Sequence, residues 1–207
     1  NGGICTLTAD IQITSTAWAG ISIASSSVTL DGAGHTVTGT QTSGSSHNGL
    51  TTCNQCHTMV VKDLTIKNFG WGISSNYANG LTITGVTIEN VGSYAAYLYG
   101  ADGLTFESNN ISGNVNIVGH NASLGQGNGS CTGNGQYVSS SQDGPMVIKS
   151  NTITGNGLSV EGSGYCIDGN TISGAGNGIY IAATSFNAGA TPTSHIISNN
   201  VITGSQT

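Results

Sequence analysis

One short phrase recurs down the chain, and it limits the fold more than any other feature. It reads HTVTG at 35–39, LTIKN at 64–68, VTIEN at 86–90, NISG at 110–113, NTITG at 151–155, NTISG at 170–174 and NVITG at 200–204. The central apolar residues are Val37, Ile66, Ile88, Ile111, Ile153, Ile172 and Ile202, separated by steps of 29, 22, 23, 42, 19 and 30 residues. A period of about 20–23 residues, lengthened where a loop is admitted, belongs to a solenoid. Each unit of such an array touches only its neighbours, so function must reside on its faces, in its loops or at its ends.

Within a phrase the chain alternates. Thr152 and Thr154 flank Ile153, and Thr171 and Ser173 flank Ile172. A period of two is a strand with the isoleucine inside and the hydroxyls outside. Five residues earlier stands a second apolar residue (Val61, Ile83, Phe106, Ile148, Ile167 or Ile197), so each coil holds at least two short strands joined by a tight polar bend. Asn109, Asn151, Asn170 and Asn200 fall at equivalent bend positions and are expected to stack as an inward asparagine ladder. Eight or nine coils at about 4.8 Å each give a rod of about 40 Å. The fold expected is all-β, one parallel β-helix domain over residues 1–207, with loop insertions at about 40–58, 116–144 and 184–194.

Composition narrows the function. Only 6% of residues are charged, against about 25% in an ordinary domain. The cations are Lys62, Lys67 and Lys149, there is no arginine, and the net charge is −6. A nucleic-acid partner needs a cationic face, and none is available. No apolar run is long enough to span a membrane as a helix. The chain opens at Asn1 without a visible signal peptide, and we read it as a processed, secreted form at the cell surface or beyond it.

Five cysteines (Cys5, Cys53, Cys56, Cys131 and Cys166) beside so few lysines are disulfide candidates of an extracellular protein. The odd count leaves one thiol over or permits a bond between subunits. Cys53-Asn54-Gln55-Cys56-His57 has the C-x-x-C-H spacing of haem attachment, and Cys53, Cys56 and His57 are also conceivable zinc ligands. A cysteine pair in a secreted loop is more often a disulfide, and we expect no metal and no cofactor. Asn110, Asn121 and Asn128 open N-x-S/T sequons and are glycosylation candidates.

The segment TADIQITSTAWAGISIASSSVTLDGAGHTVTG (8–39), with VVKDLTIKNFGWGI (60–73) and GNTISGAGNGIYI (169–181), resembles right-handed parallel β-helix proteins, the pectate-lyase-like and NosD-type extracellular repeats. The resemblance implies the fold. It leaves function open, because such repeats occur in lyases, hydrolases, epimerases, adhesins and structural surface proteins. Pectate lyases of that group use an arginine base, which this chain lacks. Its acids (Asp10, Asp31, Asp63, Glu89, Asp102, Glu107, Asp143, Glu161 and Asp168) are scattered, whereas glycosidic cleavage needs two carboxyls facing one bond. We therefore expect no catalytic residues. The T-x-T pairs resemble the flat ladders of ice-binding solenoids, but Lys67 and Glu89 interrupt them, and threonine is an ordinary outward strand residue.

Trp71, Tyr77, Tyr94, Tyr97 and Tyr99 cluster in sequence and are candidates for contact with carbohydrate or with another subunit. The last phrase, NNVITGSQT (199–207), is followed by no capping helix, and strand-like sequence begins near CTLTADIQI (5–13). Open solenoid ends invite pairing with another chain. The expected function is a non-catalytic extracellular subunit that polymerises head to tail with copies of itself, in a filament or surface layer, carrying covalent glycans or meeting extracellular polysaccharide. The alternative is a β-helix that binds or cleaves polysaccharide.

Overall fold

The computed structural model describes residues 2–14, 18–40, 47–119, 146–162, 164–174, 176–183 and 195–204. Alternation of apolar and hydroxyl residues produces strands of two to six residues, numbered here in chain order. The first sheet holds β1 (Ile4–Thr6), β4 (Thr29–Asp31), β7 (Val60–Lys62), β10 (Thr82–Thr84), β13 (Thr105–Glu107), β16 (Met146–Lys149), β19 (Tyr165–Asp168) and β22 (Ile196–Ser198). The second holds β2 (Ile11–Gln12), β5 (Thr36–Thr38), β8 (Thr65–Lys67), β11 (Thr87–Glu89), β14 (Asn110–Ser112), β17 (Thr152–Thr154), β20 (Thr171–Ser173) and β23 (Val201–Thr203). The third holds β3 (Ala19–Ile23), β6 (Asn48–Thr52), β9 (Trp71–Asn76), β12 (Tyr94–Tyr99), β15 (Asn114–Val118), β18 (Leu158–Glu161) and β21 (Ile179–Ala182). Each strand therefore pairs with its counterpart one coil away, and each sheet is parallel. The sequence period shows two strands per coil; the third is shorter in signal because its outward residues are irregular.

Parallel, in-register stacking puts like residues in columns. In the first sheet the inward column runs Cys5, Leu30, Val61, Ile83, Phe106, Ile148, Ile167, Ile197. In the second it runs Ile11, Val37, Ile66, Ile88, Ile111, Ile153, Ile172, Ile202. Interior members such as Val61, Ile83, Ile111 and Ile153 are fully buried. Each fully buried aliphatic side chain contributes about 1.5–3 kcal/mol. The core is a stack of these columns, closed by Leu50, Ile73, Leu98, Ile117 and Val160 from the third sheet.

From β7 onward the chain turns between first and second sheets in two residues, where the first two coils use four. The first of the pair takes a left-handed conformation: Asp63 (φ 52°), Gly85 (64°), Ser108 (58°), Ser150 (56°), Gly169 (64°) and Asn199 (55°). For a residue with a Cβ this costs about 1–2 kcal/mol. The second residue points inward and offsets that cost. In the later coils it is the expected asparagine. Asn151 Nδ2 donates to the Phe106 carbonyl (2.8 Å) and to Asn170 Oδ1 (2.9 Å), and Asn151 N–H donates to the same Oδ1 (2.9 Å). Asn109 and Asn170 repeat the pattern, so the ladder Asn109–Asn151–Asn170–Asn200 satisfies backbone where the sheet is interrupted.

Two expected insertions contain regular structure. Within 40–58, Asn48–Thr52 is a fully buried strand of the third sheet. Within 116–144, the first residues complete β15, which ends at Val118. The insertion at 184–194 lies outside the described residues.

Candidate functional sites at the ends and on the third sheet

Among the described residues the inward columns are buried along the rod and exposed on its first and last coils. Ile148 and Ile153 are fully buried, whereas Ile197 is 49% exposed and Ile202 is 44% exposed on the last described coil. Beside them Val201 is 55% exposed. At the other end all of β1 is exposed, with Ile4 at 75%. Cys5 belongs to the same inward column as Ile197, and Ile11 to that of Ile202. The outer edges of β1 and β22, and of β2 and β23, face away from the stack. Both ends thus present apolar inward residues framed by strand edges.

The expected aromatics do come together, on the third sheet and around its rim. Trp71 meets Tyr94 edge to face at 5.5 Å and Tyr97 at 5.0 Å. Tyr94 lies 5.2 Å from Tyr97, Tyr97 stacks on Tyr99 at 6.2 Å, and Tyr77 meets Tyr99 at 5.6 Å. Burial, then neighbouring Tyr99, Tyr94 and Glu161, raise the Tyr97 hydroxyl above its usual range. Much of each ring is spent on its neighbours, and all five are half-buried. Sequence reasoning missed the adjoining feature. A cleft of about 200 Å³ opens beyond Tyr94, floored by Asn116 and Ser159 and bounded by Tyr180, whose ring is 50% exposed.

Two of the three lysines are ion-paired. Lys62 Nζ lies 2.6 Å from Asp31 Oδ2 and 3.5 Å from Asp63 Oδ2, and Lys149 Nζ lies 3.8 Å from Glu107. Lys67 stands opposite Glu89 in the second-sheet register. The Lys62 hydrogen bond, then the Ala33 N–H, hold the Asp31 carboxyl below the usual range. Asp10 is lowered by the Thr36 N–H and then by His35, whose Nδ1 lies 3.1 Å away. Lys62 and Lys149 therefore each have a carboxylate within ion-pair distance. Among the described residues no group of three or more His, Cys, Asp or Glu is arranged to hold a metal ion.

Residues 8–191 match the family described as right handed beta helix region. The chain belongs to that family. No curated protein and no solved structure matches it. The match covers most of the chain and agrees with the all-parallel sheets.

On this β-helix the cysteines divide clearly. Cys53 and Cys56 form a disulfide, with Cα atoms 5.6 Å apart. Both sulfurs are thereby taken, so the haem and zinc readings of Cys53, Cys56 and His57 lose their thiolate ligands. Cys166 is also disulfide-bonded, and Cys5 is free and exposed. Cys131 lies outside the described residues, as do Asn121 and Asn128. Asn110 is exposed on the outer face of β14, where a glycan has room.

Proposed function

We propose that this β-helix is a non-catalytic structural subunit that stacks head to tail with copies of itself, in an extracellular filament or surface layer. The observation that carries the reading is the opening of the inward columns at both ends. Docking β22 of one copy on β1 of the next sets Ile197 over Cys5. Docking β23 on β2 sets Ile202 over Ile11. Both steps repeat the register that every interior coil already uses. A free cysteine is a small hydrophobe in such a position, which gives the fifth cysteine a packing role.

Burying the exposed part of each end isoleucine contributes about 1 kcal/mol, since each is already half-covered. Two rows of parallel strand hydrogen bonds add to this. Among the described residues the third sheet has seven strands to the others' eight, so the seam continues two sheets and leaves one strand position between β21 and the next copy's β3. The contact is heterologous, and a heterologous contact that does not close builds an open filament. The two kinds of bonded cysteine support an oxidising, extracellular setting.

Electron microscopy of the purified chain at neutral pH tests this. The expected result is filaments with an axial repeat near eight strand spacings, about 38–40 Å. The variant Ile197→Asp/Ile202→Asp, with its melting curve retained, is expected to remain as single particles. Single particles of the unaltered chain across the micromolar to millimolar range contradict the proposal.

A further inference from the structure

We infer that the cleft on the third sheet binds a neutral oligosaccharide, with Tyr180 as its stacking platform and Asn116 as its principal polar contact. The cleft is a product of register. Across the outward face, Tyr97, Asn116, Ser159 and Tyr180 occupy one position on four successive strands. Of this row Asn116, Ser159 and Tyr180 line the cleft, with Tyr94 as its second ring. The result is a cleft with tyrosines at its margins and an amide and hydroxyl floor.

The chemistry of the lining selects the ligand. Asn114, Asn156 and Asn177 stand at the rim with Tyr94. Asn116 Oδ1 is shielded from solvent and has no hydrogen-bond partner. A buried acceptor without a donor is costly, and a ligand hydroxyl supplies that donor. Amides pair with vicinal hydroxyls through donor and acceptor together, and the apolar face of a sugar ring covers an exposed tyrosine. Among the described residues no charged side chain lines the cleft, and Lys62 and Lys149 are held beside carboxylates elsewhere. An acidic sugar would bring a charge that nothing in the cleft neutralises, so a neutral one is favoured. The inference does not depend on polymerisation, because the cleft lies on a lateral face.

Calorimetric titration decides it. The probes are neutral gluco-, manno-, galacto- and xylo-oligosaccharides, with an oligogalacturonate as the charged comparator, each carried to about 10 mM. At least one neutral series is expected to bind saturably and more tightly than the oligogalacturonate. Tyr180→Ala and Asn116→Ala are each expected to weaken binding about tenfold or more, while Thr152→Ala, exposed on the second sheet, leaves it unchanged. Near-unchanged melting curves establish that the variants fold. Running the same titration on Ile197→Asp/Ile202→Asp separates this inference from the assembly reading: binding persists in that variant whether or not the chain polymerises. Absence of saturable binding by every neutral series overturns the inference. So does a preference for the oligogalacturonate, or binding undiminished in both folded cleft variants.

Discussion

The interior coils and the end coils are built from the same residues and differ in what covers them. Ile153 and Ile202 occupy the same column of the second sheet, yet the first is fully buried and the second 44% exposed. Ile148 and Ile197 differ in the same way in the first sheet. The asparagine ladder follows suit. Asn151 and Asn170 each give their N–H and Nδ2 to the next rung, while Asn200 is the last described rung. A coil on this rod is stabilised by the coil stacked on it, and the end coils look like interior coils with that neighbour removed. Nearest-neighbour coupling is what a solenoid's energetics predict.

The largest effects are expected from interior substitutions. Ile153→Ala leaves a cavity under two coils and is expected to cost about 3–4 kcal/mol. Ile202→Ala, half-exposed already, is expected to cost about 1 kcal/mol in the isolated chain. Urea denaturation of the two side by side checks the ratio, and equal costs would break the comparison.

The ladder supplies the next test. Asn151→Leu removes the two hydrogen bonds that its Nδ2 donates and the two that its Oδ1 accepts, and so strands the Asn109 donors in the core, at a cost of about 3 kcal/mol. Asn200→Leu strands only one rung's donors, beside a more open site, and is expected to cost roughly half as much. Differential scanning calorimetry resolves the difference.

The earlier coils sharpen the point, because Leu64 and Val86 occupy the bend position that asparagine holds later. Val86 N–H already donates to Asn109 Oδ1 at 2.9 Å. Val86→Asn extends the ladder by one rung while giving up a buried aliphatic. The gain in hydrogen bonds and the loss of burial nearly cancel, so a net change within about 1 kcal/mol is expected, measured by the same melts.

The smallest effect is electrostatic. The folded Asp31 carboxyl titrates below its unfolded value of 3.8 because Lys62 and the Ala33 N–H favour its charged form. Its contribution is present above the unfolded value and is lost as pH falls through the folded one. Lys62→Met is expected to move the Asp31 titration, followed by NMR, up toward the ordinary range and to flatten the acid limb slightly. An unmoved titration would remove Lys62 from the account.

Much of this was legible in the chain. Threonine and isoleucine alternation around Ile153 and Ile172 announced the second sheet, and the spacing of Ile148 and Ile167 announced the first. The asparagine ladder was readable because a tight polar bend needs its backbone satisfied. The third sheet was less so. Its strand β6 sat inside a stretch read as an insertion, since NGLTT lacks the alternating pattern when both faces are buried. The aromatic cluster was visible as a run of letters, whereas the cleft was not. Tyr94, Asn116, Ser159 and Tyr180 lie far apart in sequence and meet only through the stacking of four coils. The family match then placed the chain among right-handed β-helices and left its task to be argued from the ends and the faces.

One measurement bears most directly on the central claim that each end coil accepts the next copy's end. Stacked inward residues lie about 4.8 Å apart, within the span of a disulfide. In head-to-tail stacking, Ile197→Cys therefore meets the native Cys5 of the neighbour. Mild oxidation of this variant, followed by a non-reducing gel, is expected to give a ladder of covalent multimers that collapses on reduction and is absent when Cys5→Ser is added. A single monomer band from the Ile197→Cys chain, with particles that remain separate under the microscope, would contradict the account.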